Sequence, residues 1–324
     1  MGSKVSVILP NYNHAAFLKE RIDSILNQTY KDFELVILDD CSSDDSREII
    51  ESYRGAAHVT HIIYNEKNSG STFKQWRKGI ALTNSDYIWI AESDDYCVPE
   101  FLERCVKELE ANPELAYCLT GSYVIDENGE DASNLFSTCH EAWKKEGITR
   151  TFKGLDYIKH NLSFSNYCYN ASMVVFRRTA CQKISSEFSQ FRYAGDWLFW
   201  IEMAHHGDIC VIQEKLNYWR HHRTKVSNEI ELSGENKVKF LKEDILVRRL
   251  VFSDESLNMS LWLRGVLRGT LYKIIIRANR LTDVQRKELL DISECSKTDW
   301  ILERINKTLS NIFSFFPTLR TYRR

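Results

Sequence analysis

Three acidic positions and one histidine pair are the residues of this chain best suited to chemistry. Ser93-Asp94-Asp95 follows directly on the apolar run Tyr87–Ala91. Two adjacent carboxylates leaving a strand are held close together, and such hard oxygen donors suit Mg²⁺ or Mn²⁺. Mg²⁺ takes one or two protein carboxylates and completes its shell with substrate phosphates, so the pair points to a diphosphate ligand. Taken alone, neighbouring acids in a loop are commonly no more than solvated. A second acidic run, Asp39-Asp40-Cys41-Ser42-Ser43-Asp44, closes the apolar segment Glu34–Asp40. Asp44 with Ser42 and Ser43 has the composition of a helix cap, whereas Asp39 precedes the turn and is placed to accept a base N–H or a ribose hydroxyl. Asp196 stands between Gly195 and Trp197-Leu198-Phe199-Trp200. Desolvation there raises a carboxyl pKa and suits the group to deprotonate a hydroxyl. The same position can cap the helix that starts at Trp197, and the two roles are compatible. His221-His222 can touch a metal or a diphosphate, or be structural; His205-His206, near a helix end, complements the helix dipole.

These residues need elements to hold them. Apolar runs at Val5–Leu9, Glu34–Asp40, His61–Tyr64 and Tyr87–Ala91 alternate with helical periodicity at Ala15–Gln28, Ser46–Tyr53, Thr72–Leu82 and Pro99–Glu110. Such alternation predicts an α/β fold with a mostly parallel sheet covered on both faces. Ligands of such sheets bind outside the carboxyl ends of the strands. The strands end in Pro10-Asn11-Tyr12-Asn13, Asp39-Asp40, Asn65 and Glu92-Ser93-Asp94-Asp95, so four polar clusters converge on one edge. Further on, Leu115–Asp126 reads as a strand before an Asn128-Gly129 turn, and Asn134–Gly147 as a loop. Thr151–Asn161 reads as a helix and Cys168–Phe176 as a strand. Phe191–His206 reads as a buried helix, and Ile209–Gln213 and Leu216–Arg220 as strands. From Gly234 the signals are helical: Asn236–Phe252, Leu257–Ala278, Asp283–Ser293 and Ser296–Leu309. The expected division is a catalytic unit over 1–228, with a nucleotide-binding half at 1–126 and an acceptor half at 127–228, followed by a helical region at 229–324.

The composition bounds the function. The 324 residues carry a net charge of −2, 43% hydrophobic and 27% charged side chains, as an ordinary globular protein does. Charge is divided unevenly: residues up to 214 hold 21 basic and 32 acidic side chains, and those from 215 hold 22 and 13. The basic third is either surface composition or a face toward something anionic. No nucleic-acid partner is expected. Nine cysteines without a C-x-x-C pair speak against a zinc-finger site and fit a reducing compartment. No secretory leader is read at the N-terminus, and Leu261–Ile276 is broken by Arg264, Arg268 and Lys273. A cytoplasmic location, peripheral at the inner membrane face if the basic third binds lipid, is the expectation.

Taken together, Val5-Ser-Val-Ile-Leu-Pro10-Asn-Tyr12-Asn13, Phe33-Glu-Leu-Val-Ile-Leu-Asp39-Asp40, Asn68-Ser-Gly70, Gly79-Ile80 and Ser93-Asp94-Asp95 resemble the inverting, nucleotide-sugar-dependent glycosyltransferases of family 2 in order and spacing. Agreement resumes at Gly195-Asp196-Trp197 and Tyr218–Ser227, covering about two-thirds of the chain. The resemblance implies the GT-A fold and a divalent cation, Mn²⁺ or Mg²⁺. It implies transfer of a sugar from a nucleotide-diphospho-sugar, UDP-linked by preference, to a saccharide or lipid-linked acceptor, as in bacterial surface polysaccharide synthesis. By the same resemblance Pro10, Tyr12, Asn13, Asp39, Asn68, Lys74 and Asp94 are nucleotide contacts. Asp39 accepts the uracil N3–H, Asp95 and His222 hold the metal with Arg220 in support, and Asp196 is the catalytic base.

The sequence departs from the family pattern where Ser71–Gly79 replaces Ala-Arg-Asn, leaving open which of Lys74, Arg77 or Lys78 stands for the usual arginine. Phe73 and Trp76 read as core. A single carboxylate precedes the late helix, and the Gln-x-x-Arg-Trp motif of processive members is absent, so transfer of one sugar is expected. The helical third, with Arg264 and Arg268 four apart and an aromatic, arginine-rich tail at Phe313–Arg324, suits a membrane interface or a folded cap and homodimer surface. Two other readings are open. A nucleotidyltransferase needs a Gly- and Lys/Arg-rich loop where Asn11-Tyr-Asn-His-Ala15 stands. A non-catalytic nucleotide-sugar binder has no need of Asp196.

Overall fold

The computed structural model describes residues 2–133, 148–223, 225–230 and 232–312. The predicted loop Asn134–Gly147 and the tail Phe313–Arg324 lie outside them. Two compact units are formed, one by residues 1–154, 168–191 and 202–222, the other by 155–167, 192–201 and 223–324.

The first unit is built on one mixed sheet. Its strands are β1 (Val5–Asn11), β2 (Phe33–Asp39), β3 (Val59–Tyr64), β4 (Tyr87–Ile90), β5 (Tyr96–Cys97), β6 (Leu115–Ile125), β7 (Thr149–Phe152), β8 (Val174–Arg177) and β9 (Asp208–Arg220). They run in the order β3-β2-β1-β4-β8-β6-β9-β5, with β7 beside β9. β3, β2, β1 and β4 are parallel, β8 opposes β4 and β6, and β6 and β9 are again parallel. Every residue of β1 is buried, as a central parallel strand covered on both faces must be. Pro10 sits in that strand without harm. Alternate residues of a parallel strand bond to the same neighbour, and the pairing of β1 with β4 stops at Ile8. The missing N–H of Pro10 therefore falls beyond the ladder.

Helices α1 (Ala15–Leu26), α2 (Ser46–Ser52), α3 (Thr72–Leu82) and α4 (Phe101–Ala111) link these strands. Leu18, Ile22, Ile25, Trp89, Phe101, Leu102 and Val106 belong to one core with β1 and β2. Gly79 lets α3 lie against β1, since a Cβ there would collide with Ile8. Phe73 and Trp76 are buried, as their helical spacing predicts.

Four predicted elements differ from those observed. Thr151 and Phe152 belong to a strand, β7, whose β-branched threonines pair antiparallel with β9; the helix begins only at Gly154. A side chain at Gly154 would strike the carbonyls of Ala204 and Gly207. The run Cys168–Phe176 is a strand only from Val174. Before it, a 3₁₀ turn at Ala171–Met173 is capped by Asn170, whose Oδ1 accepts from Ser172 N at 2.6 Å. The two strands read after residue 208 are one 13-residue strand, β9.

The second unit is helical. α5 (Gly195–His205) starts in it, and α6 (Gly234–Ser253), α7 (Leu261–Arg277), α8 (Asp283–Ser293) and α9 (Lys297–Ile312) follow. Leu241, Ile245, Leu271, Ile275 and Leu289 make its core. α8 opens with a reciprocal capping box between Thr282 and Gln285. Arg264 and Arg268, read above as suited to a membrane interface or to a folded cap and homodimer surface, bind within the unit. Arg264 donates to the carbonyls of Phe252 and Met259; Arg268 donates to that of Glu294 and pairs with Asp299. No helix among the described residues is long and apolar enough to cross a membrane.

Candidate active site

The carboxyl ends of β1, β2 and β4 bring the polar clusters together as predicted. Asp39 closes β2 and is almost fully buried. Its Oδ1 accepts from Asn11 Nδ2 at 2.9 Å and Ser42 Oγ at 2.6 Å, and its Oδ2 from Ser42 N at 3.0 Å. A carboxylate has about four acceptor positions, so Oδ2 retains one suited to a base N–H. Asn13, in the left-handed region at φ 54°, turns the chain after β1; its Oδ1 accepts from Ser43 N at 2.8 Å. Tyr12 beside it is 45% exposed, open to stack on a base. Asp40 organises the next loop, accepting from Asn65, Ser69 N, Ser69 Oγ and Gln75. That loop carries the exposed Asn68, whose Oδ1 accepts from Gly70 N at 2.5 Å. Lys74 is exposed and donates to the Ser69 carbonyl at 3.0 Å, Lys78 donates to Asn65, and Arg77 donates to Ser189.

The neighbouring acids Asp94 and Asp95 have different surroundings. Asp95 Oδ2 accepts from Asn170 Nδ2 at 2.8 Å and Ser172 Oγ at 2.7 Å, and Oδ1 from Arg220 N at 3.0 Å. It is buried among donors and ties β9 to the turn after β4. Asp94 turns the other way: its Oδ2 lies 3.0 Å from His222 Nε2. His14, from the turn after β1, joins them, and the ligating atoms of His14, Asp94 and His222 lie within 4.8 Å of one another. The sequence reading gave the metal to Asp95 and the nucleotide to Asp94. The structure groups Asp94, not Asp95, with His222, and adds His14, which that reading passed over. His14 Nδ1 contacts Ser93 Oγ at 2.8 Å, which orients the ring. Two imidazoles and a carboxylate fit a divalent cation of mixed nitrogen and oxygen preference, Mn²⁺ more readily than Mg²⁺.

Arg220 underpins this cluster. It is 4% exposed, donates from Nε to the Asp94 carbonyl at 3.0 Å, pairs with Glu20 and stacks over Phe17. Glu92, two residues before Asp94, was placed at this strand end by the sequence but given no role. Trp76 Nε1 donates to it at 2.7 Å. Although part of the residue reaches the surface, desolvation of its enclosed carboxyl, with the charge of Asp94, pushes its pKa up to about 8.

Asp196 belongs to the second unit, in the first turn of α5. Its Oδ2 accepts from Asn166 Nδ2 and its Oδ1 from Trp197 N, both at 2.8 Å. Burial outweighs these bonds and pushes the carboxyl up to about 7. Arg248 holds the carbonyls of Ser163 and Phe164 at 3.1 and 2.9 Å, and Trp197 Nε1 holds that of Leu162 at 2.8 Å, fixing the segment that leads to Asn166.

Residues 6–185 match the family model described as glycosyl transferase family 2. The chain belongs to that family. It is 32% identical over 125 residues to the putative teichuronic acid biosynthesis glycosyltransferase TuaG of Bacillus subtilis, covering 39% of this chain and 49% of that protein. It is 26% identical over 226 residues to the poly(ribitol-phosphate) β-N-acetylglucosaminyltransferase TarP of Staphylococcus aureus, covering 67% of this chain and 62% of that protein. The chain thus spans about half to two-thirds of the length of these curated relatives. Among solved structures it is similar to S. aureus TarS residues 1–349 in complex with UDP-GlcNAc. The TM-score is 0.70 at 17% identity, over 99% of this chain and 89% of that one. At that identity the likeness establishes the fold, GT-A.

Proposed function

We propose that this family 2 chain transfers one sugar from a UDP-sugar to a hydroxyl of a saccharide or lipid-linked acceptor, with inversion, in the synthesis of a surface polysaccharide. The observation that carries the reading is the cluster of His14, Asp94 and His222 on the sheet edge that also holds Asp39. A nucleotide needs one polar pocket for its base and a cationic centre for its diphosphate, and this edge supplies both. Pro10, Tyr12, Asn13, Asp39 and Asn68 receive the nucleoside, and Lys74 is the cationic side chain assigned to the phosphates. Asp94, His222 and His14 are the residues to hold the cation. That ion, when bound, supplies positive charge to the diphosphate leaving group. Asp95 positions Asp94 by fixing the turn through Asn170, Ser172 and Arg220.

Asp196 takes the proton from the acceptor hydroxyl as that oxygen attacks the anomeric carbon opposite the leaving group. A pKa of about 7 matches a base working near neutrality. TuaG is named for teichuronic acid biosynthesis and TarP for poly(ribitol-phosphate), and an acidic polymer is the class of acceptor proposed here. The catalytic apparatus is assigned to residues 1–228, with the helical region from 229 left to contact the acceptor, a membrane surface or a second copy. A thermal-shift screen of nucleoside diphosphates with and without Mn²⁺ tests the donor assignment. Stabilisation by UDP that requires Mn²⁺ and disappears in Asp94→Ala supports it. Absence of stabilisation by any nucleotide overturns it.

A further inference from the structure

The helical unit holds a cavity that the reading above does not use. It encloses about 240 Å³ and is lined by Lys159, His160, Asn258, Ser260, Trp262 and Asn306 among others. That is smaller than a drug-sized pocket and of the order of one sugar ring. Apolar and aromatic lining with a few polar groups is the pattern of a small-ligand site.

Trp262 supplies the flat surface. It is 36% exposed, and its Nε1 donates to Asn306 Oδ1 at 2.9 Å, which fixes the indole plane. The same bond leaves the Asn306 amide nitrogen as a donor at the cavity. Lys159 supplies charge: it is half-buried and makes no ion pair among the described residues. Beside it, burial and the Lys159 charge lower the His160 pKa, so that ring is a neutral hydrogen-bonding group at neutral pH. Ser260 caps α7, so the positive end of that helix dipole also falls here.

Lys159 and His160 ride on a π-helical turn, Ile158–Leu162, a rare form enriched at functional sites. The chain leaving that turn is clamped by Arg248 and Trp197 and ends in Asn166, which grips the Asp196 carboxylate. One rigid segment thus lines the cavity at one end and holds the proposed base at the other.

We propose that this cavity binds a negatively charged sugar unit, carboxylate- or phosphate-bearing, of the acceptor chain. The sugar ring lies on Trp262, the acidic group meets Lys159, and Asn258 and Asn306 bond hydroxyls. Its use in transfer rests on the glycosyl-transfer reading; the binding itself does not.

The test follows the tryptophan indole N–H resonances of the whole chain by NMR, with Trp262 identified by loss of its signal in Trp262→Phe. Glucuronic acid, glucose 6-phosphate, glucose and inorganic phosphate are titrated separately. The Trp262 signal is expected to move with at least one acidic sugar, whose identity tells carboxylate from phosphate. Glucose and inorganic phosphate should bind about fivefold or more weaker, and Lys159→Ala should bring the acidic sugar down to the level of glucose. The proposal is overturned by no response to either acidic sugar, by inorganic phosphate binding as well as the sugar phosphate, or by binding unchanged in Lys159→Ala. Asp196→Asn separates the two readings: it should abolish transfer and leave the titration intact. UDP binding in Lys159→Ala should equal that of wild type.

Discussion

The carboxyl of Asp196 offers the sharpest test of the catalytic assignment, because its protonation is set by opposing forces that one substitution unbalances. Burial raises its pKa to about 7, against the hydrogen bonds from Trp197 N and Asn166 Nδ2. If the ionised form is the base, kcat/KM at low pH rises about tenfold per unit and levels above about 7. Asn166→Ala removes a donor to the charged form. A hydrogen bond to a charged group is worth about 1.5–3 kcal/mol, and one pKa unit is about 1.4 kcal/mol. The apparent pKa should therefore climb by about one to two units. Activity at pH 7 falls about five- to fiftyfold, and the deficit narrows to about twofold or less near pH 9. Release of nucleoside diphosphate, followed from pH 5 to 9.5, reads this directly. Glu92, also raised, titrates equally in both proteins and cannot mimic the difference. A wild-type profile flat through this range, or an acid-ward move in Asn166→Ala, would refute the assignment. The linkage has a stability counterpart. Asp196 binds its proton more tightly folded than unfolded, so its contribution is fully present below the unfolded pKa of 3.8 and is lost as pH rises through about 7. Asp196→Asn should then be more stable than wild type at pH 8, by about 1–3 kcal/mol after allowing for partial exposure. The gap should close toward pH 4.

Other outcomes follow from the packing. Asp95→Ala leaves Asn170, Ser172 and the Arg220 N–H without their shared acceptor and should cost about 3 kcal/mol in denaturant unfolding, whereas Asp94→Ala should remove metal-dependent UDP stabilisation with a smaller change in the free protein. Gly79→Val forces a branched side chain into Ile8 and should destabilise by about 1–3 kcal/mol or more, seen as a lowered thermal midpoint. Arg248→Met strands the buried Asp244 and frees the carbonyls of Ser163 and Phe164, which should cost about 3–5 kcal/mol. Replacing Asp244 by Leu in the same protein should restore much of that loss.

The first half of the fold was legible because its signals are local. Apolar runs ending in polar clusters mark parallel strands, and Thr72–Leu82 and Asp283–Ser293 begin and end where the sequence pattern predicts. Asp39 was legible for the same reason: it lies at a strand end, before the capping residues. What failed was set by distant partners. Thr149–Phe152 is a strand because β9 is there to pair with it, and nothing in four residues announces that neighbour. The polar breaks at Asn170 and Ser172 did carry a signal, since buried polar side chains within an apolar run need partners. Asp95 is that partner.

His14 shows where the reading of the site could have gone further. β1 and β4 are parallel neighbours with Ile8 opposite Ile90, so the residues following each strand leave the sheet at the same edge. His14 is six positions beyond Ile8, and Asp94 is four beyond Ile90. The left-handed turn at Asn13 shortens the first path and brings both side chains to one point. That adjacency follows from the pairing of β1 with β4, and it explains why the two neighbouring aspartates have different surroundings. Consecutive side chains diverge, so only one of the pair can face the edge where His14 and His222 meet. The other must face the fold, and it is tolerated there as a buried carboxyl because Asn170, Ser172 and the Arg220 backbone supply its hydrogen bonds.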